Sequence, residues 1–167
     1  MSQVSFENRT VIVTGAGNGL GKAYALDLGS RGAKVVVNDL GGAVDGSGSG
    51  STPADEVVNE IIAKGGEAVA NYDSVATKEG GESIVQTAID NFGTVDAVVN
   101  NAGILRDKSF ANMSEEELSL IIDVHLKGTF FVSQPAFTVM KENSYGRIVN
   151  VASPSGLFGN FGQSNYG

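Results

Sequence analysis

The stretch Thr10-Val-Ile-Val-Thr-Gly-Ala-Gly-Asn-Gly-Leu-Gly21 limits the fold more than any other part of the chain. Its run of β-branched residues suits a strand buried on both faces. Gly15, Gly19 and Gly21, opening a helix, let main-chain N–H groups approach a pyrophosphate at the helix N-terminus. The spacing is G-x-x-x-G-x-G, and taken alone it also fits a bland Gly-rich turn between a strand and a helix. The remainder of the chain decides between the two.

Leu20, Ala23, Tyr24 and Leu28 recur at helical spacing, and Arg31-Gly32 supplies a cation and a C-cap glycine that end the helix. Residues 33–39 read as a second buried strand closing on Asp39, eighteen residues beyond Gly21. An acid at that distance is placed to accept hydrogen bonds from an adenosine ribose; the alternative is a solvated strand-end carboxylate. A 2′-phosphate needs a cation nearby, whereas Asn18 is neutral and Asp39 acidic, so the pair favours NAD over NADP. Residues 40–52 form a flexible Gly/Ser-rich loop by composition. Strands and helices alternate on both sides of it, so it reads as an insertion within one domain covering residues 1–167 rather than as a linker.

Thr52-Pro53 opens the next helix, with Asp55 and Glu56 in its first turn, an apolar face of Val57, Val58, Ile61 and Ile62, and Gly65-Gly66 at its end. Residues 67–72 are a short third strand of the kind found near a sheet edge. Asp73 comes next, where it either reaches an adenine or forms a turn. Ile84, Val85, Ala88, Ile89 and Phe92 mark a helix closed by Gly93. Residues 94–103 are a fourth strand ending in Asn100-Asn101-Ala102-Gly103, whose amides can satisfy neighbouring main chain and whose small pair lets a flat ring lie close. Ser114 and Glu117 form a capping box. The long helix they open carries Leu118, Ile121, Ile122, His125 and Leu126 on its apolar side, is interrupted at Gly128, and is bent at Pro135. Residues 146–153 are a fifth strand. The βαβαβαβαβ order predicts an α/β, doubly wound, Rossmann-like parallel sheet with helices on both faces and right-handed crossovers.

A hydrophobic content of 41% is enough to bury an ordinary core. With no cysteine and His125 as the lone histidine, neither a disulfide framework nor a zinc site is expected, and no metal site is assigned. The net charge of −8 disfavours nucleic acid and anionic membrane as partners. No apolar run approaches the length of a membrane span, and residues 1–9 lack the apolar core of a signal peptide, so a soluble protein is expected.

The glycine turn of residues 14–21, the Asn100-Asn101-Ala102-Gly103 run, and Ser153 thirteen residues before Tyr166 together resemble the short-chain dehydrogenase/reductases. Residues 36–42, 69–75, 101–107 and 156–163 are similar to the dehydrogenase units of type 2 multifunctional enzymes, which oxidise (3R)-3-hydroxyacyl-CoA in β-oxidation. Their long loop after the second strand resembles residues 41–51. The resemblance implies an NAD-dependent oxidoreductase acting on a secondary alcohol or ketone. It also implies a small-molecule substrate such as an acyl-CoA, a homodimer in the full-length form, and a location that is peroxisomal in a eukaryote and cytoplasmic in a bacterium. The dinucleotide residues it implies are Gly15, Asn18, Gly19, Leu20, Gly21, Asp39, Asp73, Ser74, Val75, Asn101, Ala102 and Gly103. Tyr166 would take the hydroxyl proton and Ser153 would hydrogen-bond the substrate oxygen, with Ser155 second to it.

Two departures from the family accompany these roles. The family places a lysine four residues after the tyrosine, and here the chain ends one residue after Tyr166. An unassisted tyrosine, with a pKa of about 10, is ionised only about one part in a thousand at pH 7. Where many family members have Asn at a helix kink that frees a carbonyl for water, this chain has His125, either a subfamily mark or a histidine packed on a helix face. The next helix and last two strands of the family are also missing, so a truncated piece of a longer dehydrogenase with exposed apolar surface is expected. Alternatives to the hydroxyacyl-CoA reading are a steroid or acyl-carrier-protein thioester as substrate, or a non-catalytic nucleotide-binding fragment.

Overall fold

Residues 4–42, 45–48, 50 and 52–167 are described by the structure, a computed structural model of the chain. Five strands, β1 (Thr10–Thr14), β2 (Lys34–Asn38), β3 (Glu67–Asn71), β4 (Ala97–Asn100) and β5 (Arg147–Asn150), form a parallel sheet in the order β3-β2-β1-β4-β5. Between them run α1 (Gly19–Ser30), α2 (Thr52–Ala63), α3 (Lys78–Phe92), α4 (Glu115–Ile121) and α5 (Gly128–Glu142), and α6 (Pro154–Phe158) comes after β5. The parallel doubly wound sheet expected from the sequence is present, with β3 at one edge.

The period of two along each strand sorts the core into two layers. Val11, Val13, Val35 and Val37 turn toward Ala25 of α1 and Val57 and Ile61 of α2. Ile12, Val36 and Val98 turn the other way, toward Ile84 and Val85 of α3 and Val132 and Ala136 of α5. Each such aliphatic side chain contributes roughly 1.5–3 kcal/mol by leaving water. That both neighbours in the sequence are buried explains why β1 and β2 read as unbroken apolar runs.

Several sequence expectations are corrected. On α1 the buried stripe is Gly21, Ala25 and Gly29, with Tyr24 and Leu28 flanking it, while Ala23 is exposed and Leu20 is 63% exposed. Small residues lie on that stripe because α1 packs tightly: a Cβ on Gly29 would lie 2.9 Å from Ile61. Ile62 of α2 is exposed, and Ala54 takes its place in the core. By contrast, the apolar surface expected to be exposed is found on the fifth strand, which is open to solvent along its whole length, Ile148 and Val149 included. Of the expected loop at 40–52, residues 43, 44, 49 and 51 lie outside the described residues. In the remainder, Gly50 N–H donates to the Leu40 carbonyl at 2.9 Å.

The helix opened by Ser114 also differs. The capping box is made as expected, with Glu117 N–H donating to Ser114 Oγ at 3.1 Å and Ser114 N–H donating to Glu117 Oε2 at 2.9 Å. Gly128 does not interrupt the helix, which continues from α4 through a π-helical stretch, Ile122–Lys127, directly into α5. That wider turn breaks the 3.6-residue period between Ile121 and Leu126, which faces solvent, as does Leu118 before it, and Ile121 alone among the five expected residues is fully buried. Pro135 sits inside α5. It cannot donate to the Phe131 carbonyl, and Gly81 of α3 packs directly on that carbonyl, where a Cβ would collide.

Candidate active site

The strand order reverses between β1 and β4, which is where open α/β sheets hold ligands. A cleft of about 400 Å³ lies there. Gly15, Asn18, Gly19, Leu20 and Gly21 line it from the turn after β1, and Asp39 from the end of β2. Asp73, Ser74 and Val75 enter from beyond β3, and Asn101, Ala102 and Gly103 from beyond β4. Four chain segments separated widely in sequence therefore bring every expected dinucleotide residue to one cavity.

Local geometry shapes the turn. Gly15 adopts φ +62°, and a Cβ there would lie 2.8 Å from Ala102 Cα. A Cβ on Gly21 would collide with the Gly15 carbonyl, so this glycine closes helix against strand. Gly19, at φ +55°, has open space where its Cβ would be. Asn101 locks the turn from below, its Nδ2 donating to the Thr14 and Gly15 carbonyls at 3.0 and 3.1 Å. Thr14 Oγ1 in turn accepts from the N–H groups of Asn101 and Ala102.

The residues present fit an anionic dinucleotide. The N-cap residue of α1, Asn18, makes no side-chain cap, and the first turn of α1 carries no acid, so its N–H groups and positive dipole end face the cleft uncovered. Asp39 accepts from Gly17 N–H and Gly41 N–H, both at 2.7 Å, one on each carboxylate oxygen. Each oxygen retains lone-pair capacity for a hydroxyl donor. Among the described residues no lysine or arginine lines the cleft, and Lys22 is engaged by Glu60 at 3.1 Å. Asp73 lines the cleft, but its Oδ2 accepts from Asn71 Nδ2 at 2.8 Å and Ser83 Oγ at 2.7 Å, tying the end of β3 to α3.

The two expected catalytic residues lie outside the cleft's lining. Ser153 is the N-cap of α6 and accepts from Ser155 N–H at 3.2 Å, which leaves its own proton free to donate. Tyr166 meets His125 edge to face, with ring centroids 5.1 Å apart. His125 Nε2 lies 3.0 Å from Ile104 N and 2.9 Å from Ile104 O, two bonds that alternate with the tautomer. Ile104 lines the cleft, so Tyr166 is joined to its wall through the imidazole. The His125 carbonyl, on the π-helical stretch, accepts from Thr129 Oγ1 at 2.8 Å. No direct hydrogen bond joins Ser153 to Tyr166 among the described residues.

Other participants carry no mark in the sequence that assigns them to the site. Gly17 is one: a Cβ there would lie 2.7 Å from Pro53 and 2.8 Å from the Asp39 carboxylate, so this glycine admits the acid rather than the ligand. Its place in the Gly-rich run is visible in the sequence, but its partner 22 residues away is not. Asn38, Leu40, Gly42, Gly46, Ile104 and Val124 also line the cleft. Gln163 and Asn165, beside Tyr166, bond across to residues near 106 and carry no periodic signal that could have marked them.

The family model described as short chain dehydrogenase matches residues 9–167. The chain is 60% identical over 163 residues to the peroxisomal hydratase-dehydrogenase-epimerase of Saccharomyces cerevisiae, covering 98% of this chain and 18% of that protein. It is 58% identical over 165 residues to the peroxisomal multifunctional enzyme type 2 of Mus musculus, covering 99% of this chain and 22% of that protein. Among solved structures, 7α-hydroxysteroid dehydrogenase complexed with NADH and 7-oxo glycochenodeoxycholic acid aligns with a TM-score of 0.88 at 29% identity, over 97% of this chain and 60% of that one. The chain thus spans only part of the length of the proteins it matches. With a matched family model over nearly its whole length, and with this fold and cleft, it belongs to the short-chain dehydrogenase family.

Proposed function

We propose that this chain holds the dinucleotide site and proton-transfer residues of an NAD-dependent dehydrogenase that oxidises (3R)-3-hydroxyacyl-CoA to 3-oxoacyl-CoA in fatty acid β-oxidation. The observation that carries the reading is the convergence of the twelve dinucleotide residues on one cleft at the uncapped N-terminus of α1. The cofactor, when bound, supplies the hydride acceptor. Gly15, Gly19 and Gly21 admit its pyrophosphate to main-chain N–H groups, and Asp39 accepts from its ribose hydroxyls. Tyr166 takes the hydroxyl proton of the alcohol, and Ser153 donates a hydrogen bond to the same oxygen as it becomes a carbonyl. The acyl-CoA substrate rests on the resemblance of residues 36–42, 69–75, 101–107 and 156–163 to the type 2 multifunctional enzymes, and a peroxisomal setting in a eukaryote on the names of the yeast and mouse relatives.

The cofactor choice is tested by Asp39→Ala combined with Asn18→Arg. Removing the acid and adding a cation should move the ratio of NADP to NAD affinity upward by at least about tenfold, or about 1.4 kcal/mol. An unchanged ratio would remove Asp39 from the cofactor site. The reaction is tested by Tyr166→Phe in a full-length dehydrogenase that contains this chain, where it should abolish turnover of (3R)-3-hydroxyacyl-CoA while NADH affinity stays within about twofold. A hydroxysteroid is the competing substrate, favoured by the structural likeness to the 7α-hydroxysteroid enzyme. Faster initial rates with it than with the acyl-CoA would replace the substrate assignment.

A further inference from the structure

The segment that carries Tyr166 is held without an apolar anchor. Leu157, Phe158 and Phe161 are all exposed, Phe161 to 90%, and Gly159 and Gly162 take positive φ angles of 74° and 81°. A short helix followed by two such glycines has no intrinsic reason to present one side chain in one place. What fixes it is a set of polar stitches to residues 106–117. Lys108 N–H donates to the Gly162 carbonyl at 2.7 Å. Gln163 Nε2 donates to Asp107 Oδ2 at 3.0 Å, while its Oε1 accepts from Ser155 Oγ at 2.8 Å and Asn160 Nδ2 at 3.0 Å. Asn165 Nδ2 donates to the Arg106 carbonyl at 3.0 Å and the Glu117 carbonyl at 3.3 Å.

Asn165 is the unusual member. Its Oδ1 is buried and has no hydrogen-bond partner. Turning the amide over would set that oxygen against two carbonyls, so the orientation is forced by the pair of acceptors. Its consequence is geometric, because Glu117 belongs to α4, whose continuation carries His125, and His125 touches the Tyr166 ring. One continuous helical run therefore grips Tyr166 twice, through the residue before it and through its ring.

We propose that Asn165 and Gln163 are positioning residues for Tyr166, locating its phenol by amide bonds to the Arg106 and Glu117 carbonyls and the Asp107 carboxylate. The catalytic consequence rests on the dehydrogenase reading, but the placement of the ring does not. Displacement of a reacting group by about an ångström costs on the order of a hundredfold in rate.

The test labels the chain with 3-fluorotyrosine and assigns the Tyr166 resonance by its loss in Tyr166→Phe. Gln163→Glu keeps the Oε1 acceptor, removes the donor and opposes two carboxylates; it should move the Tyr166 resonance toward the value of a free fluorotyrosine. Adding Asp107→Asn restores a donor on the other side and should return the resonance to its original position. Asn165→Asp, which is isosteric but sets oxygen against both carbonyls, should give the same displacement. In a chain that turns over hydroxyacyl-CoA, kcat should fall about tenfold or more in Gln163→Glu and recover to within about threefold in the double variant, with the KM for NAD unchanged. A Tyr166 resonance that stays in place in Gln163→Glu, or that is not restored by Asp107→Asn, overturns the proposal even if Asn165→Asp fails to fold. Intact NADH binding with no turnover of any hydroxyacyl-CoA by the full-length dehydrogenase would overturn the dehydrogenase reading instead, and the resonance would still judge the positioning.

Discussion

At the scale of single residues, the glycines of the turn divide by what their missing Cβ would meet. Gly21 lies against main chain, since its Cβ would strike the Gly15 carbonyl, and neither partner can yield without separating α1 from β1. Gly19 meets nothing, and its constraint is its φ of +55°. Gly21→Ala should therefore destabilise by roughly 1–3 kcal/mol or more through overpacking. Gly19→Ala should cost about 1 kcal/mol in stability through backbone strain alone, yet weaken NADH binding at least about tenfold, because the new methyl occupies the open approach to the helix end. Denaturant unfolding and NADH fluorescence titration separate these outcomes; equal stability losses in the two variants would refute the division. The run of glycines was plain in the sequence, but which of them faces ligand, helix or acid was not. Asp39 was legible as a site residue. Its bonds to Gly17 and Gly41 were not, because they depend on how a turn folds back across a sheet.

At the scale of elements, strands were easier to place than faces of helices. A parallel strand covered on both sides writes its burial as a continuous β-branched run, as Val11–Val13 and Val35–Val37 do. Helix faces were misassigned where another constraint entered. Leu20 has the right spacing for the core but sits where α1 opens into the cleft. Leu118 lies before, and Leu126 within, a π-helical stretch that periodicity assumes away. The start of α4, by contrast, was readable because its cap is a local exchange between residues three apart. There the Ser114 main-chain N–H donates to Glu117 and, as the largest influence, holds its carboxyl below the usual range. A depressed folded-state pKa means that this contribution is present above the unfolded value and is lost as pH falls through the folded one. Glu117→Gln should thus be less stable than the parent at pH 6, and the gap should close as the pH falls below about 4. Thermal unfolding at both pH values checks this, and a gap that persists in acid would contradict it. Ser114→Ala should cost about 1 kcal/mol at either pH.

At the scale of the whole molecule, the parallel sheet and its switch point were legible because alternation of strand and helix leaves few topologies open. The segment bearing Tyr166 was legible as a motif but not as a placement, since Asn165 reaches Arg106 across 59 residues. The charge distribution has a further consequence. The chain carries a net charge of −8, Asp39 and Asp73 line the cleft, and among the described residues no lysine or arginine does. A cofactor carrying negative phosphates is then drawn in by main-chain dipoles at contact range, against a long-range field of its own sign. Salt with a Debye length of about 10 Å at 0.1 M screens the field and leaves the contacts nearly untouched. NADH affinity should hold steady or rise between about 10 and 200 mM salt, the reverse of a site that gathers phosphates with basic side chains. Isothermal titration across that range would read it directly, and a steep loss of affinity would mean that a cation from outside the cleft takes part. Where such a dehydrogenase works, ionic strength would then set how fast cofactor arrives while scarcely changing how long it stays.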